Sequence, residues 1–196
     1  MSKYLLSLML LMGSTQTAHA ETWNIDSSHS KVGFEVTHMM ISTVQGHFGE
    51  FSGQLELDSK GKVTSLNGEV NVSSVDTNDT KRDEHLQQDD FFSAAAFPKM
   101  TFKSTKVKGS HEKGYSVEGE LTIRDITKTV TLTLEPFKGP ITDGWGNTRV
   151  ATVASTEINR QEYGVTWSAA LDSGGLVVSD EVDIEIKLEF IQAKAE

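Results

Sequence analysis

Val182-Asp183-Ile184-Glu185-Ile186-Lys187-Leu188-Glu189-Phe190 alternates apolar and charged residues without a break. Successive side chains of an extended chain point to opposite faces, so this run reads as a strand with one dry face and one wet face. The same period recurs upstream. Val32, Phe34 and Val36 alternate with Gly33, Glu35 and Thr37. Phe51, Gly53, Leu55 and Leu57 alternate with polar residues, as do Leu66, Gly68, Val70 and Val72. Met100 and Phe102 follow the pattern, then Tyr115, Val117, Gly119, Leu121 and Ile123, then Val130, Leu132 and Leu134. Weaker alternation marks Thr22–Asp26, Val44–Phe48 and Arg149–Glu157.

At least eight strands follow from this pattern, separated by turn residues at Asp58–Gly61, Lys113-Gly114 and Asp143-Gly144. A single buried face favours antiparallel pairing. Many strands at this spacing form a sandwich or a barrel. A sandwich fills its interior with large side chains. Here glycine occupies core-facing positions at Gly53, Gly68 and Gly119, with Gly33 nearby. Each glycine can be an ordinary bulge, and the set suits a strongly coiled barrel with room inside. One segment breaks the alternation. Thr80 and Asp83 have the spacing of a capping box, opening a helix that turns Leu86 inward, and Pro98 ends the excursion. A second short helix is expected around Trp167–Leu171, closed by Gly174 or Gly175.

The first residues decide the compartment. Lys3, the apolar run Tyr4–Met12 and the small-x-small site Ala18-His19-Ala20 have the layout of a secretory signal peptide. The run is about half of the ~20 residues that a spanning helix needs. Residues 1–20 are therefore expected to be a signal and 21–196 a single exported domain. There is no cysteine, which excludes a disulfide framework and thiolate metal sites. The net charge of −10 disfavours nucleic acid and anionic lipid surfaces as partners, and no stable membrane insertion is expected. A homodimer through an open strand edge is compatible with the pattern and not required by it.

Catalytic signatures are weak. His29, His38 and His47 stand nine residues apart, without the i, i+4 spacing of a zinc-binding helix. Asp26, Ser28 and His29 bring acid, hydroxyl and imidazole together, but triads are assembled by the fold rather than by adjacency. No nucleophile elbow, phosphate loop or dinucleotide fingerprint occurs. The reading is no catalytic residue, no metal and no cofactor. Arg82 and His85, on the short helix ahead of Phe91 and Phe92, are candidates to contact an anionic head group.

Several stretches together resemble the YceI-like family: Trp23-Asn24-Ile25-Asp26 with His29-Ser30 and Phe34–His38; Gly46-His47-Phe48 through Gly53; and Arg82-Asp83-x-His85-Leu86. So do Asp90-Phe91-Phe92, Phe97-Pro98-x-Met100-x-Phe102, Gly119–Ile123, Asn159-Arg160-x-x-Tyr163-Gly164 and Val182–Phe190. Asp125, where glycine is common, and Thr129, where proline is frequent, depart from the pattern. The resemblance implies an all-β, antiparallel lipocalin-like β-barrel, exported to the periplasm. Its interior would take a long apolar molecule such as a polyisoprenoid or related lipid, without catalysis. At roughly 0.3 kcal/mol per heavy atom a ~40-carbon chain would gain on the order of 12 kcal/mol, nanomolar binding. Inward residues expected to line such an interior are Phe34, Val36, Phe48, Leu55, Val70, Phe91, Phe92, Phe102, Leu121 and Leu132. Two alternatives stay open: a metal-dependent or hydrolytic enzyme using His29 or His85, and an interaction module with a filled barrel.

Overall fold

In the computed structural model, which describes residues 20–172 and 174–194, the alternating runs become strands. They are β1 (Glu21–Ile25), β2 (Lys31–His38), β3 (Ser42–Phe48), β4 (Phe51–Leu57), β5 (Val63–Asn71) and β6 (Val75–Asp76). After helix α1 (Thr80–Leu86) come β7 (Lys99–Ser110), β8 (Gly114–Ile123), β9 (Ile126–Leu134), β10 (Lys138–Thr142), β11 (Thr148–Asn159) and β12 (Val178–Gln192). The expected signal segment, residues 1–20, lies outside the described residues except for Ala20.

Eight strands close on themselves in the order β1-β4-β5-β7-β8-β9-β11-β12, every pair antiparallel. The closing seam is β11 on β12, paired without interruption from Arg149↔Ile191 to Asn159↔Glu181. The weakest joint of the ring is β9 on β11, paired only at Leu134↔Ala154 and Thr133↔Ser155, so that most of the β9 edge from Ile126 onward is unpaired there. β1 and β2 lie end to end along the other side of β12, Ile25 opposite Phe190 and Val32 opposite Ile186. β3 and β6 extend the wall beyond β2.

The interior has two parts. Around Trp23, Leu55, Val117, Leu134 and Phe190 the barrel is filled. The second cluster, around Phe48, Phe91, Ile123, Ile158 and Tyr163, is capped by α1 and the segment 87–98. Arg124 fastens that cap: its Nη1 donates to the carbonyls of Asp89, Phe91 and Gly164, at 3.2, 2.9 and 2.6 Å.

Two local expectations need correction. The helix is capped by Asp79, not by a Thr80–Asp83 box. Asp79 Oδ1 accepts from the backbone N–H of Lys81 and Arg82, while Asp83 reaches back to the N–H and hydroxyl of Thr77. No helix forms over Trp167–Leu171. The buried Arg160 guanidinium takes the carbonyls of Val165 and Trp167, holding the chain extended, and Gly174 and Gly175 serve a turn instead. In the β8–β9 turn the left-handed residue is Arg124, with φ of 57°, so Asp125 meets no conformation that demands glycine.

Candidate functional site

The capped end of the barrel holds a cavity of about 380 Å³. Its wall is almost wholly carbon, from inward residues of β2, β5, β7, β8, β12 and the cap. The glycines explain how aromatic residues leave space. A Cβ at Gly119 would fall on the Phe102 ring, and one at Gly46 on the Phe34 ring. Each ring therefore reaches over the glycine of the neighbouring strand, where a larger residue would exclude it.

Of the residues expected to line the interior, Phe34, Val36, Phe48, Val70, Phe91, Phe92, Phe102, Leu121 and Leu132 do so, and so do Arg82 and His85. Leu55 does not. It is 0% exposed in the filled end, where no space remains beside it. Leu132 sits at the floor, shared with the filled core. Aromatic contacts tie wall to cap: Phe34 to Phe48 at 5.7 Å, Phe48 to Phe92 at 6.1 Å, and Phe91 stacked on Trp167 at 5.4 Å. Val182, Ile184 and Ile186 also line the cavity, and the period of β12 already turned them inward. Arg160, Tyr163 and Trp167 reach it from the segment after β11, which alternation does not announce, although Arg160 and Tyr163 lie in the Asn159–Gly164 stretch of the family resemblance.

The polar groups at the wall are few and mostly engaged. Arg82 donates from Nε to Thr77 Oγ1 at 2.7 Å and from Nη2 to the Thr77 carbonyl at 2.6 Å. Nη1 makes no hydrogen bond to the described residues. His85 Nε2 lies 2.9 Å from Asp90 Oδ2, with its ring edge-on to Phe91 and Trp167. Arg160 is only 6% exposed. It is saturated by the carbonyls of Ser179, Val165 and Trp167 and by Asp180 Oδ1. Burial lowers its pKa, and Asp180 opposes that shift. The Tyr163 hydroxyl is buried without a partner among the described residues, and burial pushes its pKa up.

The acid-hydroxyl-imidazole group lies elsewhere, in the turn between β1 and β2. Ser28 Oγ donates to Asp26 Oδ1 at 2.6 Å. His29 Nδ1 faces Asp26 Oδ2 at 2.9 Å and Ser28 Oγ at 3.1 Å. A hydrolytic triad needs acid and nucleophile on opposite ring nitrogens; here one nitrogen faces both. Asp26, His29 and Glu189 also have the spacing of metal ligands. A guanidinium already supplies the positive charge there: Arg149 Nη1 bonds Asp26 and Glu189, and its Nε bonds Asp143 at 2.7 Å. Ser28, Arg149 and His29 hold the Asp26 carboxyl far below the usual range, against a desolvation effect. Arg149 does the same, most strongly, for Asp143. The network fastens a turn.

Comparison with known proteins agrees with this geometry. Residues 23–190 match the YceI-like domain. A UPF0312 protein of Yersinia pestis is 35% identical over 192 residues, 96% of each chain. BcnA of Burkholderia cenocepacia superposes with a TM-score of 0.72 at 26% identity, covering 84% of this chain and 98% of that one. A polyisoprenoid binding domain from Saccharophagus degradans superposes at 0.61 with 15% identity, covering 87% and 98%. The chain therefore belongs to the YceI-like family.

Proposed function

We propose that this protein is an exported, non-catalytic binding protein that carries a long apolar molecule of the polyisoprenoid class. The observation that carries the reading is the carbon-lined cavity of about 380 Å³ where a filled barrel would have core. Apolar surface around an unfilled space gains free energy when a chain enters, and such interiors hold small ligands. The Saccharophagus domain lends the same fold, and its low identity leaves the choice of ligand to the cavity. Arg82, through its uncommitted Nη1, and His85 are the groups that would meet an anionic head at the cavity wall.

Native mass spectrometry of protein purified without detergent, followed by organic extraction, tests the proposal. The expected result is a stoichiometric long-chain prenyl lipid. A clean apo mass together with no uptake of added prenol would overturn it and favour a protein interaction module.

A further inference from the structure

The turn joining β2 to β3 is Met39-Met40-Ile41, and these residues are 41%, 64% and 85% exposed. The turn is nevertheless ordered by hydrogen bonds. The Ile41 N–H donates to the His38 carbonyl at 3.1 Å, and the Met39 N–H to the Val177 carbonyl at 2.8 Å. Met39 and Met40 have φ of 50° and 61°. Two successive left-handed residues are the geometry for which hairpins use Asn-Gly, because a side chain crowds the backbone there. The sequence thus accepts backbone strain and three exposed apolar side chains, where Asn-Gly at positions 39 and 40 would relieve the strain and remove two of those side chains. Strain that a simpler sequence would remove points to function at the strained residues.

Directly below the turn, His38, Val44, Val177 and Val178 line the cavity. The tip thus adjoins the cavity wall through His38, which precedes it, and Val177, which accepts from the Met39 N–H. We propose that Met39-Met40-Ile41 inserts into the surface of a lipid bilayer and sets the cavity against it, so that an apolar chain passes between them without crossing water. This inference rests on the apolar-ligand reading above and adds the surface from which the ligand comes.

Area and charge favour a bilayer over a protein. Three side chains on a convex tip offer a few hundred Å², short of the ~800 Å² per partner of a stable protein interface. Insertion to the acyl boundary needs no complementary shape. The net charge of −10 opposes adsorption to anionic surfaces, yet no acidic residue falls between Glu35 and Glu50. The tip therefore meets headgroups with the hairpin's one carboxylate, Glu35, four residues back along β2. Docking by insertion should persist in high salt, which would abolish an electrostatic contact.

The test compares the wild type with Met39→Asn/Met40→Gly and with Ile41→Ser. The first variant suits the turn and should melt no lower than the wild type. Three quantities are read: co-sedimentation with phosphatidylethanolamine vesicles, affinity for a soluble apolar dye, and the rate of fluorescent prenol transfer between vesicles. Both variants should keep dye affinity within about twofold while co-sedimentation and transfer fall about tenfold, an effect consistent with losing part of the buried apolar area. Wild-type co-sedimentation and transfer in the double variant would overturn the inference. So would a transfer rate independent of acceptor-vesicle concentration, or concentration-dependent self-association that the variants abolish. Should the wild type take up neither dye nor prenol, the carrier reading fails, and co-sedimentation still decides the docking.

Discussion

One strand faces two different interiors. Phe190 on β12, 0% exposed, sits in a packed core with Trp23, Leu55 and Val150, and Leu188, two residues nearer the cap, belongs both to that core and to the cavity floor. Val182, Ile184 and Ile186, turned to the same side of the same strand, border the cavity. Alternation decides which face is inside. Whether that inside is filled depends on what the other strands deliver at the same level. The closed end receives large side chains from every direction. At the capped end, the Phe34 and Phe102 rings reach over Gly46 and Gly119, and the cavity remains beside them.

The sharpest way to break this comparison is to truncate one leucine at each end. Leu55→Ala opens a new hole in a full core and should cost about 3–5 kcal/mol. Leu121→Ala enlarges a space that already exists and should cost about 1–2 kcal/mol. Urea denaturation of the ligand-free proteins measures both. Equal losses would mean that the capped end is packed as tightly as the closed one.

Enlarging side chains should reverse the ranking. Val117→Phe overpacks the closed end and should destabilise by about 1–3 kcal/mol. Val36→Phe has room and should leave the apo protein equally stable, or gain about 0.5–2 kcal/mol. It should also reduce prenol uptake at least severalfold, read by titration. Phe102→Trp should shorten the longest chain accepted, and an unchanged chain-length preference would remove Phe102 from the ligand wall.

The closed end also carries a pH dependence. Asp26 and Asp143 are held well below the usual carboxylate range, chiefly by Ser28 and Arg149 respectively. A depressed folded-state pKa means that the ionised groups stabilise the fold above their unfolded pKa of ~3.9. That contribution fades as pH falls from there toward the folded values. Melting temperatures between neutral and strongly acidic pH should therefore drop in the wild type, and Arg149→Met should flatten the drop. Parallel curves would show that the network contributes nothing to acid sensitivity.

Most of the fold was legible because period-two alternation is local and strong. Even the weak runs around Thr22, Val44 and Arg149 became β1, β3 and β11. Helix boundaries were less legible, since Asp79 competes with Thr80 for the cap and the winner is set by which carboxylate reaches the first free N–H groups. The absent helix near Trp167 was not legible at all. It is prevented by Arg160, whose guanidinium takes carbonyls five and seven residues onward. For the site, inward direction identified wall residues, but Leu55 shows its limit. The sequence pattern places it inward just as it does Val70, and only the residues at the same height distinguish a filled level from a hollow one.

The smallest expected effect concerns head-group recognition. Apolar area should supply most of the affinity, so the polar groups at the wall should adjust selectivity. Arg82 spends two of its nitrogens on Thr77, and His85 faces Asp90. Arg82→Ala removes hydrogen bonds worth about 1–2 kcal/mol to the cap, a loss visible in denaturation. With a prenyl phosphate as probe it should also weaken binding roughly fivefold to thirtyfold, as for loss of one charge-assisted contact. Uncharged prenol, meeting only the carbon wall, should bind Arg82→Ala nearly as well as the wild type. His85→Gln should have less effect on the phosphate, since Asp90 already occupies its ring nitrogen. Equal losses for prenol and prenyl phosphate would show that Arg82 shapes the cap and does not read the ligand.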